Sequence, residues 1–326
     1  MKFGLLNLVL CFFVSLMISP VIIKWLKKLK FGQSILVYVE QHKGKSGTPT
    51  MGGIVFIISS ILGLVVFWSK NNTFAVISIM SMLFFGVLGF LDDYIKIKYK
   101  HNEGLKPYQK ILGQLGIASV LAVYIYLSGM NGGVILIPFS HIEWNIGWGI
   151  IPFVIIFYVA VVNSVNLIDG LDGLCGGVSS VVIFAFSIIL VIISGGIEGV
   201  VQSEFVNLSI VLLGVVGAVL GFLCFNWFPA KVFMGDTGSL ALGGLLASSF
   251  ALSGQYLLIL ILGFAFVLTS VSVILQVVSY KLTKKRIFKM SPIHHHFESS
   301  SHEAKVTILY VIMTIILCVL TISLYL

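Results

Sequence analysis

The sequence predicts an all-α polytopic integral membrane protein of about ten transmembrane helices, with both termini outside and one small external β-hairpin. Three observations carry that expectation: composition, the length of the apolar runs, and the sidedness of the basic residues. Of the 326 residues, 58% are hydrophobic and 10% charged, with a mean hydropathy of +1.10. That excludes a soluble globular protein. A bilayer core takes about 20 apolar residues per helix, and such runs recur at 3–24, 51–69, 73–91, 110–128, 147–166, 174–194, 205–225, 238–254, 256–280 and 305–326. Lipid admits only helices and closed barrels as spanning structures, and these runs are far too long for barrel strands.

The first run reads as a retained span, because Lys24, Trp25, Lys27, Lys28 and Lys30 form a stop-transfer flank and no small-residue cleavage site precedes them. Between the fourth and fifth runs, Gly132 to Pro138 with Trp144 and Trp148 carries short β-branched stretches separated by polar residues. It predicts an external hairpin with an aromatic interface belt. The eighth and ninth runs meet at Ser253-Gly254-Gln255, the weakest division. Cys11, Cys175, Cys224 and Cys318 lie in or beside apolar runs without CxxC spacing, so neither a disulfide framework nor a zinc site is indicated. With no repeats or low-complexity tracts, residues 1–326 read as a single transmembrane domain.

An outside N-terminus makes 24–50, 92–110, 163–173, 226–237 and 281–305 the cytoplasmic segments, and 18 of the 20 Lys+Arg then lie inside, Lys2 and Lys70 excepted. The net charge of +8 is compatible with nucleic acid, an anionic membrane or a phosphorylated substrate. Basic residues that border spans on one membrane face leave no nucleic-acid partner. Much of this bias only sets topology, but the acids need another cause, since they need not follow the basic residues. All five aspartates, Asp92, Asp93, Asp169, Asp172 and Asp236, fall on the same side, whereas Glu143, Glu198 and Glu204 lie outside. A shared site at one face is the simplest explanation, and the absence of mid-span acids speaks against an ion-coupled transporter.

Five segments carry that site. Asp92 and Asp93 end the third span beside Tyr94 and Lys96. Neighbouring residues on a helix project about 100° apart, so one is expected to hold Mg²⁺ while the other acts nearby; a solvated helix end is the plain alternative, made less favourable by the macrodipole. Asn163 to Gly173, with Asn166, Asp169, Gly170 and Asp172, is a polar turn able to approach a ligand closely, although capping of the next helix by itself explains Asp172. In Asn226 to Ser239, Gly235 and Gly238 bracket Asp236, and the amides that start the following helix suit a phosphate; a plain N-cap is the rival reading. The run Lys284 to Glu298 holds His294, His295 and His296, which cannot all face one ion from an ordered backbone; it suits phosphate oxygens better than zinc, or is simply a polar interface loop. Finally, His42 to Gly53 is basic and glycine-rich, with Lys45 and Thr50, but lacks the strand and spacing of a P-loop.

KSGTPTMGG, LDDYIK, NLIDGLDGL, FPAKVFMGDTGSL and KRIFKMSPIHHHFE, in this order along the chain, together resemble the phospho-N-acetylmuramoyl-pentapeptide-transferase family, within the polyprenyl-phosphate N-acetylhexosamine-1-phosphate transferases. One departure is Ser299-Ser300-Ser301-His302, where the family commonly has a Leu-Lys-Gly-Trp-like stretch. The resemblance implies a Mg²⁺-dependent transfer of phospho-N-acetylmuramoyl-pentapeptide from UDP-N-acetylmuramoyl-pentapeptide to undecaprenyl phosphate, at the cytoplasmic face of the bacterial cell membrane, by a homodimer. It assigns Asp92, Asp93 and Asp236 to catalysis and metal binding. To the substrates it assigns Lys45, Thr50, Lys96, Lys110, Asn166, Asp169, Asp172, Asn226, Phe233, Gly235, Ser239, His294, His295 and His296. Direct attack by the lipid phosphate and a covalent aspartyl intermediate are both open, the first preferred because a phosphate monoester needs little help from a base. A UDP-N-acetylglucosamine transferase and a membrane flippase are the competing readings, disfavoured by the histidine run and by the absence of mid-span acids.

Overall fold

The computed structural model describes residues 2–28, 47–99, 104–128, 133–140 and 142–326. Each of the ten apolar runs contains helix: α1 (Lys2–Lys28), α2 (Gly53–Val66), α3 (Thr73–Tyr99), α4 (Pro107–Leu127), α5 (Ile150–Ile168), α6 (Leu174–Ser194), α7 (Val200–Asn226), α8 (Gly235–Leu252), α9 (Ile259–Leu262) with α10 (Phe264–Thr283), and α12 (Glu303–Ser323). A short α11 (Ile293–Glu298) carries the histidines. Among the described residues eight helices are long and apolar enough to cross a bilayer, fewer than the ten runs suggested. α2 has only 14 residues, and α8 reaches membrane length by recruiting the polar start Gly235-Asp236-Thr237. The ninth run is broken after Gly254, at φ +74°, by a 3-10 turn (Tyr256–Leu258) and by Gly263. The expected hairpin forms from β1 (Val134–Leu136) and β2 (Glu143–Asn145), antiparallel with Ile135 opposite Trp144.

Several boundaries move toward the predicted loops. α3 continues two turns past Asp92, and α5 runs to Ile168, so Asp92, Asp93, Lys96 and Asn166 stand on rigid helix rather than in loops. The acids of α3 therefore do not oppose a helix terminus, and Lys96 and Lys98 occupy the last turn, where cations are favourable.

The closest helix crossings are built on glycine and small residues, as expected where packing rather than solvent exclusion joins helices in lipid. Every residue of α8 from Thr237 to Leu252 is buried. On α7, a Cβ at Gly217 would strike the carbonyl of Leu8, and one at Gly221 would stand 2.6 Å from that of Phe12. That close crossing of α1 and α7 is closed by Asn7 Nδ2 donating to the Ile210 carbonyl (3.0 Å) and Ser15 Oγ donating to that of Ala218 (2.7 Å). At the opposite end from the aspartates, Glu204 of α7 accepts from the backbone amides of Thr73 and Phe74 (3.2 and 2.8 Å), supplying the N-terminal anion that α3 lacks in its own first turn. α3 and α8 approach similarly: Gly89 faces the Asp236 carbonyl with no room for a Cβ, and Ser81 Oγ donates to the Gly244 carbonyl (2.9 Å).

Gly217→Ala forces a methyl into the Leu8 backbone, so it is expected to cost about 1–3 kcal/mol. The melting midpoint of the detergent-solubilised protein should fall by several degrees; an unchanged midpoint would show that α1 and α7 can separate freely.

Candidate active site

The site lies where the end of α3, the start of α8, the start of α4 and the end of α5 converge. Asp93, on the face of α3 toward α8, caps that helix. Its Oδ2 accepts from the Thr237 amide (2.9 Å) and Oγ1 (2.7 Å), and its Oδ1 accepts from the Asp236 amide (3.3 Å). The α8 amides expected to receive a phosphate are thus already occupied by a carboxylate, which the same dipole attracts. Gly235, at φ +72°, makes the turn possible: a Cβ there would stand 2.6 Å from both Asp93 Oδ2 and Thr50 Oγ1.

Asp92 points to the flank of α3, where its Oδ1 accepts from the Leu105 amide (2.7 Å) and its Oδ2 pairs with Lys96 Nζ (2.6 Å). Asp236 is the most solvent-accessible of the three acids, its side chain 17% exposed against 4% for Asp92 and Asp93. Its Oδ1 accepts from Asn166 Nδ2 (2.7 Å), and its Oδ2 accepts from Lys96 Nζ (2.8 Å) and Lys110 Nζ (3.0 Å). Asn166 also donates to Ser239 Oγ (2.8 Å) and accepts from Lys110 (3.1 Å).

The three carboxylates each offer an oxygen within 4.8 Å of the others. Asp92 and Asp93 diverge, as their spacing on one helix requires, and Asp236 arrives from a second helix and closes the gap. Hard oxygen donors clustered in this way suit a divalent cation of the Mg²⁺ type, and the Lys96 ammonium, 2.6–3.9 Å from all three residues, meets the same charge demand.

Residues 74–255 match the model of glycosyl transferase family 4, and residues 45–57 match the phospho-N-acetylmuramoyl-pentapeptide-transferase signature 1. A phospho-N-acetylmuramoyl-pentapeptide-transferase of Clostridium novyi is 43% identical over 98% of this chain and 96% of its own length. Namesakes from Halalkalibacterium halodurans and Bacillus mycoides are 44% and 46% identical over 91% and 88% of the chain, and 89% and 86% of their own lengths. The chain belongs to the phospho-N-acetylmuramoyl-pentapeptide-transferase family. The glycosyl transferase match covers all five aspartates, from Asp92 to Asp236, and the signature covers Thr50.

Around the central cluster the family's motifs separate into two groups. Thr50, Gly235, Ser239, Lys96, Lys110 and Asn166 meet at the carboxylates. Asp169 ends α5 facing them, and desolvation in the turn, then the Asp236 charge, push its carboxyl well above the usual carboxylate range. Gly170 brings the turn against His294, so close that a Cβ would collide with the His294 Nε2. His294 is fully buried with neither ring nitrogen hydrogen-bonded among the described residues. The histidines divide as their backbone requires: His295 Nδ1 pairs with Glu298 Oε2 (2.7 Å), and His296 Nδ1 faces the Lys289 amide (3.3 Å).

The second group frames the site. Asp172 does not cap α6, whose N-cap is Gly173 at φ +74°. Its Oδ2 instead accepts from the Ala230 amide (2.9 Å), its amide donates to Glu303 Oε1 (2.6 Å), and its carbonyl accepts from Thr307 Oγ1 (3.2 Å), tying three segments together. Asn226 Nδ2 donates to the Val232 carbonyl (2.9 Å), while the Phe233 backbone pairs with Pro49 and Gly52. Lys45 lies outside the described residues. Sequence reasoning passed over Glu303; an acid opening an apolar helix, as Glu303 does, was the available signal. It also passed over Gln114, buried on α4 one turn beyond Lys110.

Burial, then the neighbouring His295, lowers the His294 pKa to about 3. The unfolded chain then binds more protons than the native one between about pH 6.5 and 3, so the neutral imidazole contributes stability that is present above pH 6.5 and is lost as pH falls through that window. The melting midpoint of His294→Gln should accordingly fall less steeply from pH 7 to pH 4 than that of the wild type; parallel curves would show that His294 is solvated.

Proposed function

We propose that the protein transfers phospho-N-acetylmuramoyl-pentapeptide from UDP-N-acetylmuramoyl-pentapeptide to undecaprenyl phosphate, releasing UMP; the names of its relatives give the transferred group for them. The observation that carries this reading is the convergence of Asp92, Asp93 and Asp236 with Lys96, Lys110 and Asn166 at one end of the bundle. Acid and cation are combined there for two phosphorylated substrates and a metal ion. The lipid phosphate oxygen forms a bond to the β-phosphorus, and the bond from that phosphorus to the bridging oxygen breaks, so UMP leaves with the bridging oxygen.

Mg²⁺, when bound, would neutralise the diphosphate and polarise the transferred phosphorus. Asp236, with Asp92, is the best-placed holder; Asp93 is the least free, because both of its oxygens are engaged with the start of α8. Lys96 and Lys110 would turn from Asp236 toward phosphate oxygens. Lys45, Thr50, Asn166, Asp169, Phe233, Gly235, Ser239 and the histidines would then flank the nucleotide and diphosphate. Asp172 and Asn226 would act by holding the loops in place.

Direct attack fits this arrangement better than a covalent aspartyl intermediate. Every carboxylate of the cluster is already hydrogen-bonded or ion-paired, which lowers its nucleophilicity, whereas the lipid phosphate is dianionic without a base. The one-sided basic segments support a cytoplasmic position for this face, with the chain in the bacterial cell membrane as a homodimer.

UMP release by the purified protein with undecaprenyl phosphate and Mg²⁺ tests the proposal. The muramoyl-pentapeptide nucleotide should be strongly preferred over UDP-N-acetylglucosamine, and the opposite preference, or no UMP from either, refutes it. Asp236→Asn should lower kcat by about 10³-fold with little change in the melting midpoint; near wild-type turnover would remove Asp236 from the chemistry.

A further inference from the structure

Lys110 reaches Asp236 from the start of α4, a stretch whose apolar anchorage is limited to Ile117 on the core and Leu88 against Gly113. From Pro107 to Ile117 of that helix, Gln114 is the one buried residue, at 0% exposure; Tyr108, Ile111, Leu112 and Leu115 all face outward. The Lys106 amide donates to Gln109 Oε1 (3.0 Å), and Pro107 stands at the first helical position; both start the helix from within its own first turn. Below the Lys110–Asn166 contact, a pair of side-chain amides joins these turns to α5.

Asn163 Nδ2 donates to Gln114 Oε1 (2.6 Å), and Gln114 Nε2 donates back to Asn163 Oδ1 (3.3 Å). The orientation is fixed on the α5 side, where Asn163 Nδ2 also donates to the Val159 carbonyl (2.7 Å). A carbonyl only accepts, so the nitrogen of Asn163 must face it, and its oxygen is left for Gln114. Away from water this reciprocal pair tolerates little slippage, since moving either residue leaves buried polar atoms without partners.

The pair is one rung of a two-rung ladder. Lys110 stands four residues before Gln114, and Asn166 three residues after Asn163, so each lies on the same face of its helix, one turn nearer the acids. The upper rung is Lys110 Nζ to Asn166 Oδ1 (3.1 Å), and both of these residues then bond Asp236.

We propose that Gln114, through its amide pair with Asn163, is a positioning residue for the transfer reaction: it fixes the register of α4 on α5 and thereby holds the Lys110 ammonium and the Asn166 amide at Asp236. The inference rests on the reaction proposed above for its consequence on turnover, and on geometry alone for its consequence on Lys110. Gln114 touches no substrate. Its effect passes through Lys110, and displacement of a charged group by about 1 Å at such a site can cost up to about a hundredfold in rate.

Two measurements on the full-length protein test it. In the first, acylation of Lys110 by an activated ester is followed by mass spectrometry. In Gln114→Leu, Lys110 should label roughly threefold faster or more, as expected of an ammonium released from charge-assisted hydrogen bonds, while Lys96 stays at its wild-type rate. In the second, UMP release should show kcat reduced about tenfold or more with the KM for the nucleotide within about twofold, the split expected when positioning rather than binding is lost. Gln114→Asn combined with Asn163→Gln rebuilds the pair with the lengths exchanged and should recover most of kcat. Gln114→Leu combined with Asn163→Leu removes both polar partners and should recover the melting midpoint without recovering kcat. Wild-type labelling of Lys110 in Gln114→Leu, or wild-type turnover in the double leucine variant, would overturn the proposal. If the wild-type protein releases no UMP, the reaction falls while the labelling ratio still decides the role of Gln114.

Discussion

The site depends on one contact, the Asp93 carboxylate seated on the first amides of α8. A helix start presents unpaired N–H groups, and inside a membrane protein these need a partner more urgently than in water. Asp93 supplies it, and in doing so fixes where α8 begins, how Gly235 must turn, and that Asp236 emerges beside α3 rather than away from it. Gly89 and Gly53 serve the same contact by letting the α8 backbone lie directly on theirs. A side chain at either position would push Asp236 out of reach of Asp92.

Three buried or half-buried carboxylates in one place demand compensation, and the surroundings provide it in layers. Lys96 comes from the same helix as Asp92 and Asp93, Lys110 and Asn166 come from α4 and α5, and the Leu105 amide closes the far side. Each layer also suits a phosphate chemistry, because ammonium groups held near a diphosphate by carboxylates can be handed over when the substrate arrives.

Much of the fold was legible because the bilayer reduces it to a simple rule. Runs of apolar residues read as helices, and the hairpin between the fourth and fifth was visible from its Gly and Pro boundaries and β-branched stretches. Helix ends were less legible. α3 and α5 extend into stretches counted as loops, because polar residues such as Asp92 and Asn166 were taken as exits from the membrane, whereas their packing against α8 keeps them helical. Asp172 looked like a helix cap or a ligand contact; it does not cap α6, and it braces Ala230, Glu303 and Thr307. No local pattern distinguishes these roles, since all of them ask only for a carboxylate in a turn.

The sequence by itself determined the membrane class, the separation of acids and bases to one end, and the residues from which the site would be drawn. These follow from transfer energies and charge placement, which are properties of composition and order. The tertiary structure decided which aspartate caps, which remains open and which braces a loop, and that Gln114 and Asn163 meet. Those outcomes depend on glycine-mediated backbone approach and on the register between helices far apart in the chain, and neither is encoded in any single segment.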